Sequence, residues 1–381
     1  MMTRIIFSLL AAGGIAAGVV RSHTTRQSPP LVVHEWGTIT TRHLPDGTPQ
    51  GRLNHITPAE VLPAFVHQYE PPATVEKVGQ PLLKSVVAPG RQDVTMRLET
   101  PVIYFHAPTG ASVAPFDVSV RFRGGVLNEF YPSAEPSVDL DRDRINRKLG
   151  AAAYGPGWNG EVLDNYVVGG LRWRGVTLQD GVRVPRTDMH VWLAPRQVRS
   201  AGVVVGSRES EQYLFYRGVA HLDALMQTEL TDRDVRLRAP RLLEWMRSPT
   251  ITIANVWLAD IRPDGSVAFR EQGALSIAKS GPLRELARIP LFTDKDYGEK
   301  RADLRRGMKQ SLMAAGLYED EAEAMLETWK GNYFETPGLR IFYIVPDEWI
   351  SYFLPLQISA PNELKRVLVG RIDLEREPSS P

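Results

Sequence analysis

The sequence predicts an α+β fold that is predominantly antiparallel β, in sandwich-like sheets, with a helical pair inserted near the C-terminus. Three observations predict it. Apolar and polar residues alternate with period two in many short runs, the mark of strands with one buried and one wet face. Turn residues separate those runs where a doubly wound fold would place helices. A four-residue apolar spacing, the helical period, appears clearly only late in the chain.

The clearest strand is Phe116-Asp117-Val118-Ser119-Val120-Arg121-Phe122-Arg123, which alternates without a fault. Gly124-Gly125 follows and leads into a second apolar run at 126–131, so a hairpin is expected there. Further strands are expected at 95–105, 171–174, 203–205 and 250–253. Pro263-Asp264-Gly265 lies between two such runs, with Ile261 before it and Val267 after it, and predicts another hairpin. One brief early helix is expected at Thr57-Pro58-Ala59-Glu60, where a cap, a proline and a glutamate stand in capping order. Leu304, Met308 and Leu312 define a late helix, and Ala322, Met325, Leu326, Trp329 and Tyr333 define a second, with Gly316 between them. Asp320, Glu321 and Glu323 crowd the first turn of that second helix, where the dipole favours carboxylates. Strands return at 339–345 and 366–374.

Because strands flank the helical pair, about 299–335, residues 31–376 read as a single large β-rich unit with the pair inserted or laid on one sheet. Pro-, Asp- and Gly-rich stretches at 132–160 and 231–249 are long loops or alternative boundaries. Residues 1–22 read as a signal peptide or N-terminal anchor: Arg4 precedes an apolar run over 5–20. Residues 23–30 form a tether and 377–381 a tail. Export to the periplasm, cell envelope or medium is the expectation, with membrane contact only through the first segment if it is not cut.

Composition excludes several classes. The 381 residues carry 45 Lys+Arg against 44 Asp+Glu, a net charge of +1, so no long-range field favours nucleic acid. The chain has no Cys, which removes disulfides, thiolate metal sites and a Cys nucleophile. No Walker loop, Gly-x-Ser-x-Gly elbow, His-Glu-x-x-His or EF-hand loop is present. No motif names a cofactor or a metal.

The most unusual word is His34-Glu35-Trp36, just after the tether. On a strand His34 and Trp36 share one face and Glu35 takes the other. His34 and Glu35 are candidates for metal ligand or general acid/base, with Trp36 a stacking wall; the competing reading is hydrogen-bonded packing at the start of a sheet. Glu99 and Glu129 each precede an aromatic run, and paired carboxylates across a cleft would suit glycoside hydrolysis. Tyr104, Tyr216 and Arg217 are ligand-binding candidates, a phenol and a guanidinium suiting carboxylates or sugars, although for Arg217 a structural pairing with a strand-end Glu is the preferred reading. Asp188 and His190, two apart on an expected strand, could give two metal ligands without a third. Trp329 and Tyr333 read as core contacts.

His34-Glu35-Trp36-Gly37-Thr38, Glu99-Thr100-Pro101-Val102-Ile103-Tyr104-Phe105, Phe215-Tyr216-Arg217-Gly218 and Ile341-Phe342-Tyr343-Ile344-Val345-Pro346, taken in order, resemble a family of uncharacterised exported bacterial proteins. The resemblance spans nearly the whole chain after the tether; Ile39 stands where the family usually carries Phe. It implies export and one continuous unit, and supplies no catalytic residue. Two functional readings follow. One is an exported cell-envelope binding or structural protein whose partner is a glycan, a peptide or an envelope protein. The other is an exported hydrolase whose site gathers His34, Glu35, Glu99, Glu129 and Arg217 from separate strands, which requires those side chains to converge in one pocket.

Overall fold

The structure is a computed structural model. It describes residues 30–376 except 52, 54–60, 71–75, 78–79, 82–93, 108–112, 142–165, 207–208, 241–242 and 281–284. The expected signal segment, nearly all of the tether, the tail and the early helix at residues 57–60 lie outside the described residues. Val61 and Leu62, the continuation of that helix, are not helical.

The chain is mostly β. In chain order the main strands are β1 (Leu31–His43), β2 (Met96–His106), β3 (Phe116–Arg123), β4 (Gly125–Tyr131), β5 (Glu135–Leu140), β6 (Val167–Gln179), β7 (Gly202–Val205), β8 (Glu209–Glu211), β9 (Leu214–Ala220), β10 (Val256–Ile261), β11 (Val267–Glu271), β12 (Gly338–Ile344) and β13 (Asn362–Leu374). Eleven of them form one path in the order β8-β7-β6-β4-β9-β2-β1-β13-β12-β10-β11, and β3 and β5 pair with β6. Pairing is antiparallel almost throughout. The main exception is the centre, where β1 and β13 run parallel from Leu31↔Asn362 to His43↔Leu374.

Sequence explains the positions. β1, β2, β4 and β9 are buried on both faces, as central strands must be, whereas β3 alternates buried and half-exposed residues. That difference overturns the expected 116–131 hairpin. Gly124 (φ 81) does turn the chain, but β4 leaves β3 and enters between β6 and β9, with both of its faces buried. The Pro263-Asp264-Gly265 hairpin forms as expected, closing with Ile261 opposite Val267.

The late helices are α1 (Arg301–Ala314) and α2 (Glu319–Thr328), followed by a wide turn over Gly331–Glu335 and, beyond β12, by α3 (Asp347–Phe353). Leu304, Met308 and Leu312 of α1 and Ala322, Met325 and Leu326 of α2 share one apolar cluster with Trp36, Tyr104, Trp257 and Phe342 of the sheet. Trp329 and Tyr333 are buried in it, as expected of core contacts. The opposite face of the sheet carries Val33, Ile39, Leu98 and Ile103, and shares a second cluster with α3 and with two small sheets, through Val235, Leu237, Ile251 and Ile277. The stretch 231–249, expected as a loop or boundary, therefore holds a packed strand, Asp234–Arg238. Among the described residues no helix is long and apolar enough to cross a membrane.

Candidate functional site

β1 keeps strict alternation, so His34, Trp36, Thr38 and Thr40 face the helices while Glu35 faces the other cluster, as the sequence implied. β2 does not keep it. Between Trp36 and Thr38 of β1 the register skips a residue on β2, and the same skip is seen from β9. Thr100, at φ 45, lies in this bulge. Leu98 faces the α3 side and Val102 the helices, so the bulge turns Glu99 to the same face as Val102 and Tyr104.

The candidate residues thus divide into three groups. Glu35 and Tyr216 lie together on the α3 side, both fully buried, where Tyr216 Oη donates to Glu35 Oε1 at 2.6 Å and Arg366 Nε donates to its Oε2. Burial, with Glu35 beside it, pushes the Tyr216 phenol well above its ordinary value, so the hydroxyl stays a donor. On the helix side, Glu99 accepts from Thr40 Oγ1 at 2.9 Å and stands 3.4 Å from Arg97 Nη1. Glu129 takes Arg217 Nη1 at 3.4 Å, the two lying opposite each other in the β4–β9 register. The structural reading of Arg217 therefore has its glutamate, although Glu129 is within a strand and not at its end.

The third group forms around His34. The antiparallel β1–β2 register sets His34 opposite Tyr104 and Val32 opposite His106, making His34 and His106 diagonal neighbours on one face. Glu321, from the first turn of α2, descends between them: His34 Nδ1 lies 2.7 Å from its Oε2 and His106 Nε2 lies 2.9 Å from its Oε1. The backbone N–H of Tyr318 also donates to Oε2, at 2.7 Å. Burial would raise the Glu321 carboxyl, but the hydrogen bonds from His106 and His34 outweigh it and hold the group at about 2. The Tyr318 ring, 46% exposed, covers both imidazoles at centroid distances of 4.5 and 4.8 Å. Trp36 and Tyr104 are packed beside the group with centroids 6.2 Å apart, and the Tyr104 hydroxyl is spent on Pro195 O at 2.9 Å.

His106 and Glu321 are site residues that the sequence does not announce. Glu321 is legible only as a first-turn carboxylate, and His106 only by its place two residues beyond Tyr104. Asp188 and His190 do not share a strand: His190 opens a one-turn helix, which breaks the period-two spacing, and contacts Glu327 at the surface.

A separate cavity of about 100 Å³ lies between α3 and the segment at 221–245, with Trp245, Trp349, Tyr352, Phe353 and Glu244 in its wall. None of the predicted site residues lines it.

No family model matches the chain, and no curated protein does. Among solved structures, the yeast delta-COP-I mu-homology domain is similar over 92% of this chain and 97% of that one, at 10% identity and a TM-score of 0.28. The same domain complexed with the Dsl1 WxWxV peptide is similar over the same shares, at 9% identity and a TM-score of 0.27. Values this low carry no argument about fold or function.

Proposed function

We propose that this chain is an exported cell-envelope binding or structural protein whose partner is a peptide or a protein segment. The observation that supports the reading is the fate of the three candidate carboxylates. Glu35, Glu99 and Glu129 are each buried and each held by an arginine, on two different faces of one sheet. A general acid or base has to reach its substrate, and a carboxylate enclosed with its counter-charge inside a core does not.

The small cavity by α3 supports a peptide partner: about 100 Å³ walled by four aromatic rings is a volume suited to one anchoring side chain. Export of the chain belongs to the same proposal and rests on the N-terminal pattern alone.

Selection of peptides from a random display library against the folded chain tests the reading. Selected peptides are expected to lose at least about tenfold in affinity when Tyr352 is replaced by Ala, as an interface anchor would. Enrichment of no peptide, or binding indifferent to Tyr352→Ala, counts against it. So does a hydrolytic turnover that Glu99→Gln abolishes without lowering the melting temperature.

A further inference from the structure

The group around His34 has a property that packing alone does not ask for. Two imidazoles and a carboxylate, from three elements far apart in sequence, meet in one small volume: one ligand atom each of His34, His106 and Glu321 lies within 4.8 Å of the others, and His34 Nδ1 and His106 Nε2 face the Glu321 oxygens. We propose that these three side chains bind a divalent first-row transition ion, with an open coordination position under Tyr318.

The donor chemistry limits the ion. Two imidazoles and one carboxylate suit zinc and its first-row neighbours, and the chain has no thiolate to select a softer metal. Bond lengths of about 2.0–2.2 Å place tetrahedral ligand atoms roughly 3.4 Å apart. The two N···O contacts at 2.7 and 2.9 Å have to open slightly, and the widest separation has to close by up to about 1.4 Å. Each imidazole then carries its proton on its other nitrogen.

The surroundings suit the role. The Tyr318 N–H fixes one oxygen of Glu321, the kind of outer hydrogen bond that orients a ligating carboxylate. His34 and Glu321 are buried, while His106 is only partly so and the Tyr318 ring above both histidines meets solvent. Three protein donors leave a position for water or an outside ligand on that side.

Equilibrium dialysis of the full chain against Zn²⁺, compared with His106→Ala, tests the proposal. His106 is chosen because its partial exposure lets the variant fold, which circular dichroism checks. The expected result is one tightly held ion in the natural chain and more than about tenfold weaker binding in His106→Ala. With Co²⁺ as the probe, visible d–d absorption is expected in the natural chain and its loss in the variant. Absence of stoichiometric uptake, or uptake equal in the two chains as other surface His–Glu pairs would give, overturns the proposal.

Discussion

Glu35 lies in the middle of an apolar cluster, where Arg366 and Tyr216 meet both of its oxygens. Removing one partner of such a pair strands the other, so Arg366→Met is expected to cost about 3–5 kcal/mol in urea unfolding. Tyr216→Phe removes one hydrogen bond from a group that retains its arginine, and about 1–2 kcal/mol is expected. His43 makes a second prediction at this scale. It is buried at the end of β1 with Nδ1 2.8 Å from Thr228 Oγ1, and burial pulls it down to about 4. The unfolded chain takes up that proton near pH 6.5 and the folded chain only near 4, so this contribution is complete above 6.5 and is lost as pH falls between those values. The loss is about 3 kcal/mol, and a His43→Gln variant should show a flatter stability profile over that pH window than the natural chain. The sequence made the word His34-Glu35-Trp36 conspicuous and placed its side chains on the correct faces, because alternation is a local rule. It could not supply Arg366 or Glu321, which lie 331 and 287 residues from their partners.

At the scale of elements, the strands and the helical pair were legible because their periods are written into consecutive residues. What was not legible is what a neighbour imposes. The 116–131 hairpin failed because β4 has two apolar faces and needs a central place, and Glu99 changed face because of one extra residue in β2. The β12–β13 pair shows how close such fitting is. Gly370 lies opposite Tyr343, and a Cβ built on it would come within 2.0 Å of the ring. Tyr343 is itself buried in the cluster with α3. Gly370→Ala should therefore displace the ring and destabilise the chain by roughly 1–3 kcal/mol, as overpacking does. Chemical denaturation reads that cost, and a compensating Tyr343→Leu change should recover some of it.

At the scale of the molecule, the central sheet joins the two ends of its own sequence, since β1 touches β2 on one side and β13 on the other. Nothing local in the sequence specifies that partner, which is why a β-rich unit with a helical pair could be read and its strand order could not. Contacts of this separation are made late and slowly. A chain ended at residue 361 lacks β13 and leaves β1 with an open edge, so it is expected to show no cooperative unfolding transition by circular dichroism. A mechanical consequence also follows from the parallel pairing of β1 with β13. Tension applied at Leu31 and Leu374 pulls these two strands lengthwise in opposite directions, so the thirteen register positions between them bear force together and do not give way singly. Held by its ends in an optical trap, the protein should behave as a shear clamp. It should yield at a markedly higher force than when pulled from residues 338 and 374, across the antiparallel β12–β13 pair, which opens like a zip.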